Sequence, residues 1–146
     1  MGATNVLSTQ NQAITNYDYS KLFKTAFKTV KMTFTNGTGA ELALLPGMLF
    51  GRISATLKGA ILKSASTDGS EIPFGVLVSQ HTIAIAGSVT VTVAVTGMID
   101  KNLLVLDGTD TLDTLVDGRT IGDRIPADTE GITLENFNSL DNYDNQ

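Results

Sequence analysis

At 146 residues, with 42 % hydrophobic residues and no Cys, the chain is long enough for one domain with its own core, and a disulfide framework, a thiolate metal site and cysteine catalysis are excluded. The net charge of −5 is unevenly spread: residues 1–31 carry +3, residues 32–99 carry 0 and residues 100–146 carry −8. An acidic body without a basic cluster repels phosphate backbones, so no nucleic-acid partner is expected.

Residues 1–19 are Asn-, Thr-, Gln- and Ser-rich with few apolar anchors, and read as a flexible arm. They lack a basic start and an apolar stretch of the secretory kind, so the chain is expected to be made in the cytoplasm. In "SKLFKTAFKTVK", Leu22, Phe23, Ala26, Phe27 and Val30 fall on one helical face and Lys21, Lys24, Lys28 and Lys31 on the other. The same region ends in "TVKMTF", which alternates as a strand. The expectation is a short helix or turn at about 20–28 and a strand at about 29–35. "TNGTG" is a turn, because Asn-Gly readily supplies positive φ. It also contains a glycosylation sequon at Asn36, for which the turn is the preferred reading.

"ELALLPGMLFGRIS" predicts a strand broken at Pro46-Gly47, then a second from Met48 to Ile53. "KGAILKSAS" is a further strand, "TDGSEIP" a polar loop, and "FGVLVSQHTI" a strand running into His81. The most regular pattern is "SVTVTVAVTGMID". Val89, Val91, Val93 and Val95 alternate with Thr90, Thr92, Ala94 and Thr96, the period of a half-buried strand. Its Thr/Ala face can meet water or lie against a neighbouring subunit. "NLLVLDG" predicts a short strand, "DTLDTLVDGRTIGDRIP" one short helix, "EGITLENF" a closing strand, and the last residues a polar tail. These elements give a mainly β fold: a small β-sandwich or barrel-like domain with one or two short helical segments and a flexible N-terminal arm. The expected division is an arm at 1–28, a β-rich domain at 29–137 and a tail at 138–146. Long helices do not alternate with the strands, so a nucleotide-binding βαβ sheet is not expected. No apolar run approaches the length of a membrane span.

Chemistry is sparse. His81 is the single His, and no Gly-x-Ser-x-Gly elbow or phosphate-binding loop accompanies it. Asp107, Asp110, Asp113 and Asp117 cluster within eleven residues, but their spacing is not that of a calcium loop and solvated turn carboxylates are the better reading. "GMIDKNL" is faintly similar to the substrate strand of trimeric dUTPases, whose Gly-rich phosphate motifs are missing here. The sequence therefore predicts no enzyme, no cofactor and no metal.

"LLPGMLFGRIS", "STDGSEIPFGVLVSQ", "VTVAVTGMI" and "TIGDRIPADTEGITL" follow one another in an order that resembles the head decoration proteins of tailed bacteriophages, over about residues 38–137. The resemblance implies a structural virion protein that trimerises on the outer capsid surface, binds the major capsid protein and stabilises the head. It does not extend to the Lys/Phe segment, which is the candidate capsid-binding element through Lys21, Phe23, Lys24, Phe27 and Lys28; the other reading is that Phe23 and Phe27 complete the domain's own core. A membrane-surface role for that segment is not expected, since it is short, lacks Trp and adjoins an acidic body. The alternatives are another β-rich phage module, such as a head-fibre base or tail component, a surface adhesion domain, or a small enzyme or ligand-binding barrel.

Overall fold

The computed structural model describes residues 22–23 and 26–136. The chain is mainly β, as the short alternating runs predicted, and its centre is a closed five-stranded barrel. β1 (Thr29–Thr35), β2 (Leu42–Leu44), β3 (Leu49–Arg52), β4 (Gly59–Ile61), β5 (Pro73–Leu77), β6 (His81–Ile83) and β7 (Ser88–Ala94) come first. β8 (Thr96–Asp100), a 3-10 turn (Lys101–Leu103), β9 (Leu115–Val116), β10 (Arg119–Thr120), helix α1 (Ile121–Asp128) and β11 (Gly131–Glu135) follow. The barrel order is β1-β4-β3-β5-β7; β2 pairs with β6, β8 with β11 and β9 with β10. β1 and β7 are antiparallel in register from Thr29–Ala94 to Thr35–Ser88, whereas β1 and β4 meet in parallel only at Phe34 and Gly59.

Two cores lie on opposite faces of one sheet, because successive strand residues point to opposite sides. Met32, Phe34, Phe50, Leu77, Val91 and Val93 fill the first core with Leu44 and Ile83. The residues one step along, Leu49, Val76 and Ala94, face the second, where Leu22, Phe23, Leu62, Ile99, Ile121, Ile125 and Ile132 cover them. Ala94 is fully buried, which corrects the expectation for the Thr/Ala face. That end of it is covered by the chain's own residues, not left open for a neighbour. Thr90 remains exposed, and Thr92 is half-buried, with its hydroxyl taking a hydrogen bond from Lys31 Nζ at 3.3 Å.

Several predicted boundaries shift for local reasons. "FGVLVSQHTI" is two strands, because the Ser79 hydroxyl accepts the Thr92 N–H at 3.1 Å and turns the chain between them. "NLLVLDG" is not a strand: the Asp100 carboxylate caps the 3-10 turn through Asn102 N–H at 3.0 Å, and only an isolated bridge joins Met48 to Val105. "DTLDTLVDGRTIGDRIP" holds a hairpin before its helix. Asp117 and Gly118 both have positive φ, the two-residue turn that suits hairpin twist. α1 then starts at an N-cap, Thr120 Oγ1 accepting from Asp123 N–H at 3.1 Å.

The turn after β1 is held by Asn36, only 1 % exposed. Its amide nitrogen donates to the carbonyls of Ala40, Ile83 and Ala84, and its Oδ1 accepts from the Thr38 N–H and hydroxyl. This nitrogen has no freedom to serve as a glycosylation acceptor, which leaves the turn as the role of the sequon.

Candidate functional site

The segment expected to bind a capsid enters the fold at β8. Phe23 is 6 % exposed and forms an isolated bridge to Ile99. Phe27 is half-buried and packs against the same core. The Lys28 N–H donates to Thr96 Oγ1 at 2.9 Å, and its carbonyl accepts from Val95 N–H at 2.8 Å. Its ammonium meets Glu130 Oε1 at 3.1 Å with both side chains more than half exposed, a pair worth at most about 1 kcal/mol. The apolar members of the expected site thus face the domain's own interior, and packing begins before residue 29. Lys21 and Lys24, with Ser20 and Thr25 of the helix or turn expected at about 20–28, lie outside the described residues, as do the arm at 1–19 and the tail at 138–146.

The titratable groups are tied into the scaffold. His81 Nε2 lies 2.8 Å from Ser79 Oγ, and burial pushes its pKa below the ordinary value of 6.5. The Ser79 oxygen already takes the Thr92 N–H, so its own hydrogen can go to Nε2 of a neutral ring. Asp110 accepts the Ser64 N–H at 2.9 Å and the Ser64 hydroxyl at 2.6 Å, clamping the acidic stretch to the loop after β4. Asp68 is held below the usual carboxylate range by hydrogen bonds from the Ser70 hydroxyl and N–H. Among the described residues no three His, Asp or Glu side chains gather as a metal-binding group, and no helix is long and apolar enough to cross a membrane.

Compared with known protein families, the chain matches no family model, and no curated protein matches it.

What the residue pattern did not reveal is a group of exposed aliphatics around the Pro46-Gly47 turn. Leu45, Leu103 and Val105 are 44 %, 39 % and 41 % exposed. Val105 N–H donates to the Gly47 carbonyl at 2.8 Å, and Leu49 N–H to the Val105 carbonyl at 3.0 Å, so the two segments lie side by side. Gly47 has φ 96° and its Cα side is closed by the Leu103 carbonyl, where a Cβ would not fit. The signal was present in "LLPG": of two successive Leu before a turn, only one can point inward. Leu44 is fully buried and Leu45 is not.

Proposed function

We propose that the protein is a structural component of a phage head, binding the outer face of the capsid lattice as a homotrimer and bracing the shell. The supporting observation is where the family-like stretches fall. "LLPGMLFGRIS" forms the β2–β3 turn and β3, "PFGVLVSQ" forms β5 and its exit, and "VTVAVTGMI" forms β7 and β8. Of these, β3, β5 and β7 are neighbours in the barrel, and β8 continues from β7 to pair with β11 outside it. On this reading the barrel is a stiff spacer. Leu45, Leu103 and Val105 make the apolar contact of the body, and the chain preceding Leu22, together with Lys24, reaches a neighbouring capsid subunit. Phe23 and Phe27 serve as the anchor of that arm. Such a protein needs no general base or nucleophile.

The test is decoration of expanded phage capsids assembled without this protein. Electron microscopy is expected to show added density at regular lattice positions, three copies around each site. Particles that remain bare after incubation with excess protein would refute the reading.

A further inference from the structure

We infer that the groove between the β3–β4 loop, the loop before β5 and the end of α1 docks an extended peptide carrying a carboxylate beside an aliphatic side chain. The groove holds about 360 Å³ and is lined by Arg52, Leu57, Ile72, Pro73, Phe74 and Asp128, among others. That volume is within the range of small-ligand clefts, roughly 300–1,000 Å³.

Its charges are unbalanced. Asp128 is already engaged, its Oδ2 accepting from Arg124 Nη1 at 3.0 Å. The Arg52 guanidinium carbon lies over the Phe74 ring, 4.7 Å from its centre, and Arg52 has no ion pair among the described residues. A guanidinium that meets a ring through its face keeps its N–H edge for a carboxylate, which that edge grips with two parallel hydrogen bonds.

The apolar wall is equally unsatisfied. Leu57 is 60 % exposed and has a φ of 60°, in the left-handed region that disfavours side chains. Glycine would form this turn without strain, so the turn itself does not call for a leucine. A leucine held in water against backbone preference, beside an arginine with no ion pair among the described residues, is a pair of contacts that one partner can satisfy. A polyanion is a poor fit, because Asp128 and the negative end of α1 line the same groove. A single carboxylate with an aliphatic neighbour meets both requirements, and the inference stands whether or not the protein decorates a capsid.

The test is NMR titration of the labelled full chain with the blocked peptide acetyl-Leu-Asp-Leu-amide and its acetyl-Leu-Asn-Leu-amide counterpart. Saturable shifts are expected at the Arg52 Nε–H, Leu57 and Phe74 with the Asp peptide, and binding about tenfold weaker with the Asn peptide. Arg52→Gln is expected to remove the response, and Leu57→Gly to weaken it while leaving the melting temperature equal or higher. Shifts that survive Arg52→Gln, or that inorganic phosphate reproduces in full, overturn the inference. So does self-association that Arg52→Gln abolishes without any peptide response, since the occupant is then a second copy.

Discussion

Phe23 stacks on Phe27, ring centroids 3.9 Å apart and planes 17° from parallel, and both press on the backbone of β8 at Gly97. Gly97 has a φ of 128°, and a Cβ there would sit 2.9 Å from Phe27 Cβ and 3.0 Å from Phe23 Cδ1. The absence of a side chain at this position is what lets the N-terminal segment lie on the domain.

Gly97→Ala should therefore lower stability by about 1–3 kcal/mol, through an unfavourable φ and displacement of the ring pair. Phe23→Ala should cost about 3–5 kcal/mol as a buried aromatic truncation. The two changes share one contact, so the double variant should lose less than the sum. Strict additivity in denaturant unfolding would show that the rings do not bear on Gly97.

Because the sheet is covered on both faces, adjacent positions of β7 should both be intolerant of charge. Burying a Val side chain is worth roughly 1.5–3 kcal/mol, and an unpaired buried carboxylate costs several more. Val93→Asp and Ala94→Asp are expected to unfold the domain, while Thr90→Asp changes stability by less than about 0.5 kcal/mol. Soluble, cooperatively melting Ala94→Asp protein would mean that the second core does not cover this face.

The sequence revealed the strands whose two faces differ in polarity. β1 falls at the expected residues 29–35, with Met32 and Phe34 turned into the barrel as alternation requires. It revealed less where a single local bond decides the path, as when the Ser79 hydroxyl ends a strand or the Asp100 carboxylate starts a 3-10 turn. Ala94 was illegible for another reason. Alanine fits a solvent-facing or a covered surface equally well, and its cover comes from Ile121, Ile125 and Ile132, far along the chain. The groove beside Arg52 draws its walls from β3, β5, two loops and α1, and no periodic pattern can announce such a meeting.

Asp110 has both carboxylate oxygens engaged by Ser64, so the acidic stretch is expected to act as a structural clamp. Millimolar calcium or EDTA should leave the melting temperature unchanged, whereas Asp110→Ala should cost about 1–3 kcal/mol by leaving the Ser64 groups without a partner. A rise of several degrees with calcium would instead require a site that binds the folded state.

Burial lowers the pKa of His81 in the folded chain. The unfolded chain then takes up the proton first as pH falls through 6.5, so stability should decline from there toward lower pH and be insensitive to His81 above it. The slope attributable to one proton cannot exceed about 1.4 kcal/mol per pH unit. His81→Gln should flatten the profile between about pH 6.5 and 5 relative to the natural chain. Parallel profiles for the two proteins would show that His81 titrates alike in both states.

Truncation separates the arm from its anchor. Leu22 is fully buried, Phe23 nearly so, and Phe27 packs on the same cluster. Removing residues 1–28 therefore removes core as well as arm, and should lower the melting temperature by many degrees or prevent folding. Removing residues 1–19 spares all three side chains and should leave the melting temperature within a few degrees of the full chain. If the arm reaches across to the capsid lattice, this shorter deletion should still weaken decoration of expanded particles. The remaining binding should be more sensitive to loss of the exposed aliphatics, through Leu45→Ser or Val105→Ser, than it is in the full chain. Undiminished decoration by the 20–146 protein would place attachment in the barrel alone, and an unfolded 20–146 protein would show that residues 1–19 contribute to the fold itself.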